Sequence, residues 1–301
     1  MERYRSYSAE MRELFGRKVY KLSLDAGMTC PNRDGTLGTG GCTFCAGGAG
    51  EFAAGRGGLE EQLAAAKERV AFKARDARYV AYFQSYSNTY APLERLRAVF
   101  GPVLDREEIV GLAVGTRPDC LEPEKVAYLE ELNREKPVWV ELGLQTIHER
   151  TARAIRRGYP LAVFDDAAAR LKAAGLRVVA HVILNLPGET PEEMLQTVDH
   201  VARCGADGIK LHQLHVLRGT DLARMYEQGE LRLFSMEEWL AVLEEAVRRL
   251  PPDMTVHRLT GDGPKRLLLA PLWTADKKRV LQAVREAFDR DDVRQGSAFC
   301  P

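Results

Sequence analysis

The sequence predicts an α/β fold: an open (β/α)6 partial barrel followed by a mostly helical C-terminal extension. Three observations lead there. Strand-like apolar runs alternate with helix-period segments along most of the 301 residues, and such alternation builds βαβ units and a parallel sheet. The runs are nearly continuous, as in Val178-Val179-Ala180-His181-Val182-Ile183-Leu184, which is how strands read when helices cover both their faces. After six units the alternation gives way to helical pattern from residue 219 onward.

The strand candidates are 19–24, 79–84, 109–115, 138–144, 176–184 and 208–216. Helix-period segments between them cover 59–75, 92–104, 122–134, 148–157 with 161–174, and 191–204. The remainder reads as helices over 221–228, 235–250 and 275–290 around a short strand at 254–257. The expected division is a barrel with an N-terminal extension over 1–218, and an extension over 219–301 that covers the barrel's open side.

Composition narrows the class. Lys+Arg 43 against Asp+Glu 43 gives zero net charge, so no overall field draws the chain to nucleic acid or a membrane. Six cysteines in a chain of this length are not a disulfide framework. The first residues carry Glu2, Arg3, Arg5, Glu10, Arg12 and Glu13 in place of an apolar signal core. No apolar run approaches membrane-spanning length. The expectation is a cytoplasmic protein with no membrane partner.

The most informative feature is Cys30-x11-Cys42-x2-Cys45, with no fourth cysteine or histidine nearby. A structural zinc site closes its tetrahedron with four ligands, and iron–sulfur carriers use four thiolates. Three thiolates leave one iron of a [4Fe–4S] cluster open to a substrate or cofactor. Phe44 is suited to shielding such a cluster from water. Ten of the 26 glycines fall in residues 35–58, and glycine lets backbone pass close to a bulky object. The expected cluster loop is 25–58. A zinc knuckle with a distant fourth ligand, or buried free thiols, are the alternatives.

Barrel enzymes gather their chemistry at the C-terminal ends of the strands. The cysteine loop follows the first strand candidate. The second exits through Gln84-Ser85-Tyr86-Ser87-Asn88-Thr89 and the third through Gly115-Thr116-Arg117-Pro118-Asp119. The fourth runs Glu141-Leu142-Gly143-Leu144-Gln145-Thr146, the fifth carries His181 and Asn185, and the sixth Lys210, His212 and His215. Burying so many polar groups without a ligand would be costly.

These stretches, with Leu211-His212-Gln213-Leu214-His215-Val216-Leu217-Arg218-Gly219-Thr220 and His257-Arg258-Leu259-Thr260-Gly261-Asp262-Gly263-Pro264-Lys265, resemble radical S-adenosylmethionine (SAM) proteins of the YhcC/YtqA-like group. Eleven residues between the first two cysteines is the spacing of that group. The Arg-Pro-Asp and Glu-Leu-Gly-x-Gln elements also resemble the radical SAM domain of the Elongator catalytic subunit, which modifies wobble uridine in tRNA. The resemblance implies a [4Fe–4S] cluster on Cys30, Cys42 and Cys45, whose open iron is chelated by SAM. It implies one-electron cleavage of SAM to a 5′-deoxyadenosyl radical, with the electron drawn from a reductant such as flavodoxin or ferredoxin. Gln145 and Arg157 match the SAM-contacting Gln and Arg, and Ser85 with Asn88 the strand end that meets the methionyl group. Arg117 is placed at the cofactor by its element. His181 stands where relatives carry a ribose-binding Asp, and Leu217 where a side chain edges the adenine.

For the substrate, the resemblance points to the wobble uridine side chain of tRNA. The tail supplies Arg258, Lys265, Arg266, Lys277, Lys278 and Arg279 with Trp273, a composition suited to phosphate contact and base stacking. His257, Arg258 and Lys265 are expected on a rigid loop facing the substrate, because the glycines and proline of 257–265 break helix and strand. The alternatives are a radical SAM enzyme for a small metabolite, and a non-catalytic zinc- or cluster-containing RNA-binding module.

Overall fold

Parallel pairing of seven strands positions everything else. The computed structural model describes residues 2–47, 57–71, 77–261 and 263–301. The strands are β1 (Val19–Leu24), β2 (Arg78–Phe83), β3 (Ile109–Thr116), β4 (Val138–Gln145), β5 (Arg177–Leu184), β6 (Gly208–Gln213), β7 (Val216–Leu217), β8 (Thr255–Arg258) and β9 (Leu268–Ala270). The main sheet runs β1-β2-β3-β4-β5-β6-β8, parallel throughout. β7 and β9 form a separate antiparallel ribbon.

The helices are α1 (Tyr7–Phe15), α2 (Leu59–Ala71), α3 (Leu93–Leu104), α4 (Pro123–Glu135), α5 (Glu149–Ala154), α6 (Leu161–Ala173), α7 (Pro191–Arg203), α8 (Asp221–Glu227), α9 (Met236–Arg249) and α10 (Lys277–Arg290). Their starts follow local chemistry. Thr190 with Glu193 and Ser235 with Glu238 form capping boxes on α7 and α9. The predicted α/β partial barrel is what the chain forms. Residues 72–75 of the helix predicted over 59–75, and 48–56 of the glycine-rich loop, lie outside the described residues.

The short strand expected at 254–257 forms as β8 and extends the six-stranded barrel sheet by one. α9 returns the chain beside β6, and β8 joins the sheet there through Gly208↔Thr255 and Lys210↔Arg258. The strand itself is expected from the sequence; its pairing with β6 is not, because four residues carry no pattern that names a neighbour. His257 and Arg258 are therefore sheet residues, because Gly261, Gly263 and Pro264 break the chain only after the strand has ended.

Two apolar layers hold the sheet. Leu22, Phe83, Val114, Leu142, Ala180 and Leu211 face outward into the core beneath the helices. The inner face packs Val19, Val80, Trp139 and Val179 against Met11 of α1, so α1 plugs the N-terminal end of the barrel. Ser6 caps α1, accepting from Ala9 N at 3.2 Å, and bridges to Val256 at the β8 edge. No helix among the described residues is long and apolar enough to cross a membrane.

Above the plug lies a charged layer. Glu141, its side chain 0 % exposed, accepts from Lys21 Nζ at 2.7 Å, from His181 Nε2 at 2.8 Å and from Lys210 Nζ. Burial alone would raise the Glu141 pKa, but the charges of Lys21 and Lys210 overcome it and hold the carboxyl well below its usual range. Burial pushes Lys210 down to about 7, with Lys21 and Arg258 adding and Glu141 opposing. Burial likewise takes His181 to about 4, so it is a neutral Nε2–H donor to Glu141 at pH 7.

Removing one partner of a buried ion pair costs roughly 3–5 kcal/mol, so Glu141→Gln should lower unfolding stability by about that amount in urea titrations at pH 7. The Glu141 pKa is depressed in the folded state, so its stabilisation is complete above the unfolded value of about 4.3 and fades as pH falls below it. The variant should lose the corresponding acid limb. An unchanged urea midpoint would contradict this account of the barrel floor.

Candidate functional site

The three cysteines lie on the loop after β1, at the C-terminal end of the sheet. Short backbone bonds shape the loop: Arg33 N to Cys30 O at 2.8 Å, Leu37 N to Pro31 O at 2.8 Å and Cys45 N to Cys42 O at 3.0 Å. Gly41 takes φ +71°, and a Cβ there would sit 2.8 Å from Arg33 Nε. The thiols are free, and Cys30, Cys42 and Cys45 are each partly exposed. Burial pushes the Cys42 thiol up to about 11, and Cys45 and Cys30 are close enough to add to the shift. Metal binding must displace that proton.

The loop is fastened on two sides. Thr43 N donates to Ile155 O at 3.1 Å, and Leu222 N at the start of α8 donates to Thr43 O at 3.1 Å. Arg156 pairs with Asp221. Phe44 packs on a second apolar cluster of Ile155, Leu186, Leu214, Val216 and Leu222. The tail is thus part of the loop's support.

Strain marks the strand exits. Tyr86 (φ 59°), Gln145 (φ 64°) and Asn185 (φ 69°) follow β2, end β4 and follow β5 in left-handed backbone, a conformation non-glycine residues keep only where surroundings enforce it. At the β2 exit Ser85 Oγ is buried without a partner, as is Asn88 Oδ1. Asn88 Nδ2 donates to Gly115 O at 2.8 Å, and Ser87 and Thr89 hydroxyls meet Thr116 Oγ1 at 3.0 and 2.6 Å. The Gln145 side chain folds over Gly143, where a Cβ would stand 2.6 Å from Gln145 Nε2.

Behind this turn stands a stack of three side chains. The Tyr159 ring lies 4.8 Å from both the Arg117 and the Arg157 guanidinium. Arg157, 1 % exposed, donates from Nε to Tyr159 O at 2.9 Å and from Nη1 to Leu144 O and Thr146 O at 3.0 and 2.5 Å. Its Nη2 reaches Glu149 Oε1 at 3.4 Å. At most one of its five N–H groups is left for a ligand, so its visible work is to hold the Gln145 turn. Arg117 forms a two-point pair with Asp119 at 2.9 and 2.6 Å and donates to Arg157 O at 2.9 Å.

Residues 34–201 match the radical SAM superfamily, and residues 206–290 match the Radical_SAM C-terminal domain. The chain belongs to the radical SAM superfamily. It is similar to the uncharacterized protein YtqA of Bacillus subtilis, at 43 % identity over 99 % of this chain and 93 % of that one. Protein YhcC of Escherichia coli is 40 % identical over 97 % of this chain and 94 % of its own. The archaeal Elp3 of Methanocaldococcus infernus shares the fold with a TM-score of 0.69 at 17 % identity, covering 92 % of this chain and 64 % of that chain. The non-catalytic alternative gives way to membership of an enzyme superfamily.

A radical SAM protein calls for a [4Fe–4S] cluster and SAM, and the residues fit both. The donor set is three thiols on a loop whose backbone bends around them. Among the described residues no three His, Cys, Asp or Glu side chains are grouped as around a single metal ion. Ser85 Oγ and Asn88 Oδ1, buried with no protein partner, are polar atoms of the kind a bound polar cofactor satisfies. Cys30, Cys42 and Cys45 would hold the cluster, and Ser85, Asn88 and Gln145 would orient SAM.

The remaining expected residues divide between the lumen, the β7–β9 ribbon and the surface. His181 is in the lumen, spent on Glu141 and 5.6 Å ring to ring from His212. Leu217 lies on the β7–β9 ribbon. His257 corrects the expectation of a substrate loop: its side chain is 1 % exposed and 3.6 Å from Glu10, at the plugged end of the barrel. Arg258 shares that lumen, acting electrostatically on His181, Lys210 and His212, while Lys265 is exposed. Trp273 packs on Trp239 with centroids 5.3 Å apart, so it is no stacking platform. Glu141 sits mid-barrel, below the exits, with Lys21 as an unforeseen partner. Sequence reading also missed Asn32, which contacts Cys42 Sγ at 3.5 Å, Arg33, whose Nη2 donates to Cys45 O at 2.5 Å, and Tyr159. Asn32-Arg33 directly after Cys30-Pro31 was the available signal.

Cys42→Ala should lose the four-iron cluster, read as iron per chain after anaerobic reconstitution, while Cys120→Ala, Cys204→Ala and Cys300→Ala keep it. Gln145→Ala should hold full iron yet bind SAM about tenfold more weakly, the size of one lost polar hydrogen bond. Equal iron in Cys42→Ala and wild type would sink the ligand assignment.

Proposed function

We propose that this radical SAM enzyme acts on tRNA, in building the side chain of the wobble uridine. The observation that carries the reading is a set of exposed cations on the tail. Lys265 and Arg266 lie before β9, and Lys277, Lys278 and Arg279 make the first turn of α10; all five are exposed. Asp276 caps that turn, its Oδ1 accepting from Arg279 N at 3.1 Å, and no acidic residue lies within it, although the positive end of a helix dipole disfavours cations there by about 0.3–1 kcal/mol each. Cations kept at such a position are accounted for when a phosphate backbone meets them. The β7–β9 ribbon continues from the exit of β6, which puts Lys265 and Arg266 near the mouth. The resemblance of residues 115–119 and 141–145 to the Elongator radical SAM domain supports the same substrate class.

When bound, a cluster reduced by a partner such as flavodoxin or ferredoxin supplies, with SAM, a carbon radical that removes a hydrogen atom from the substrate. The chain's own residues provide the setting. Cys30, Cys42 and Cys45 would hold the cluster. Arg157 and Tyr159 fix the turn that presents Gln145. Phe44 and its apolar neighbours keep water from the loop's inner side, and the Glu141 network with α1 closes the floor.

A second reading, a small metabolite in the lumen, is favoured by His212, whose Nε2 is buried without a partner. Comparing tRNA nucleosides by mass spectrometry from cells with and without the gene separates the two. The proposal expects a change confined to the wobble uridine; an unaltered nucleoside profile would favour the small molecule.

Binding of tRNA should weaken steeply with salt. Replacing Lys277 and Lys278 by Ala should lower the slope of log K against log salt by roughly two, with iron content and substrate-free SAM cleavage unchanged. A salt-insensitive affinity would count against phosphate contact.

A further inference from the structure

We propose that Asn32 is a positioning residue for the cluster: one side-chain amide steadies the Cys42 sulfur and ties the cysteine loop to the β4 exit. The proposal rests on the cluster reading above. Asn32 is 6 % exposed, and its Nδ2 faces three acceptors, Cys42 Sγ at 3.5 Å, Arg156 O at 2.8 Å and Arg157 O at 3.1 Å. Its backbone carbonyl accepts from Gly41 N at 2.8 Å, so the residue before Cys42 is held as well. Its Oδ1 occupies the place a Cβ on Gly158 would need, 2.7 Å away. Gly158 has φ +87°, which makes that close approach possible.

Two amide hydrogens serve three acceptors, so they are shared. With a neutral thiol the carbonyls hold the shorter bonds. An iron-bound thiolate is charged and attracts the donor more strongly. Hydrogen bonds to cluster sulfurs are among the features that set the reduction potential, because they draw electron density from the metal and ease its reduction. From Arg157 the chain of contacts continues, since its guanidinium grips Leu144 O and Thr146 O on either side of Gln145. One residue therefore separates the amide on the thiolate from the turn expected to orient SAM.

The test uses wild type, Asn32→Asp and Asn32→Ala, reconstituted anaerobically. Three quantities are read: iron per chain, midpoint potential from a reductive titration followed by electron paramagnetic resonance, and SAM affinity. Asn32→Asp replaces the donor by a negative oxygen of the same shape, so its potential should fall below wild type. Asn32→Ala only deletes the donor and should fall less. Both should bind SAM several-fold more weakly. A wild-type potential in both variants, even with less iron or a lower melting temperature, would make Asn32 a mere loop staple and overturn the proposal. If Asn32→Asp retains no iron, Asn32→Ala decides by the same criterion. A wild-type chain that takes up no iron would overturn the cluster reading and the proposal together.

Discussion

One carboxylate, that of Glu141, joins four strands across the lumen of an open barrel. It projects from β4 and receives Lys21 of β1, His181 of β5 and Lys210 of β6. A closed barrel is held round its circumference by backbone pairing. An open sheet has two edges, and among the described residues the β8 edge is met by the Ser6 bridge. A cross-lumen ion network constrains the curl that backbone pairing leaves undetermined. Burying these charges is expensive, and only the completed set offsets the cost. That is why the floor of the site is assembled as a unit.

Above that floor the mouth is built from strained exits and shared fastenings. The left-handed residues after β2, at the end of β4 and after β5 aim their loops inward. The Arg117–Tyr159–Arg157 stack, the Asn32 amide and the Thr43 bonds to Ile155 and Leu222 join the cysteine loop to the β3 and β4 exits and to the tail. The tail contributes a strand, a ribbon and the wall on which Phe44 packs. The cysteine loop, the Gln145 turn and the C-terminal region are thus one mechanical piece, although they are far apart in sequence.

The architecture was legible because apolar runs covered by helices leave an unmistakable pattern: the first strand, Val19–Leu24, starts and ends where the sequence placed it. An open-iron cluster was legible from three cysteines with no fourth, and the family from that loop together with strand-end stretches such as 115–119 and 141–146. Less visible were elements whose identity depends on partners. α1 is amphipathic only with respect to the inner face it plugs, and β8, though expected as a short strand, takes its place in the sheet because β6 offers it an edge. His257 looked like a loop residue because Gly261, Gly263 and Pro264 follow it, but the break comes after the strand. Glu141 shared a motif with Gln145, and strand alternation gave both the same face, yet four residues of rise put one in the floor and the other at the mouth. Trp273 shows the same limit: a tryptophan beside lysines suits RNA, and only the packing on Trp239 gives it to the core.

The central claim is that three thiolates leave one iron for SAM. Mössbauer spectra of 57Fe-loaded protein, recorded before and after addition of SAM, test it most directly. The account predicts that one iron in four changes its isomer shift and quadrupole splitting as it gains ligands, while the other three stay as they were. Four irons that all ignore SAM, or a metal content of a single zinc per chain, would contradict it.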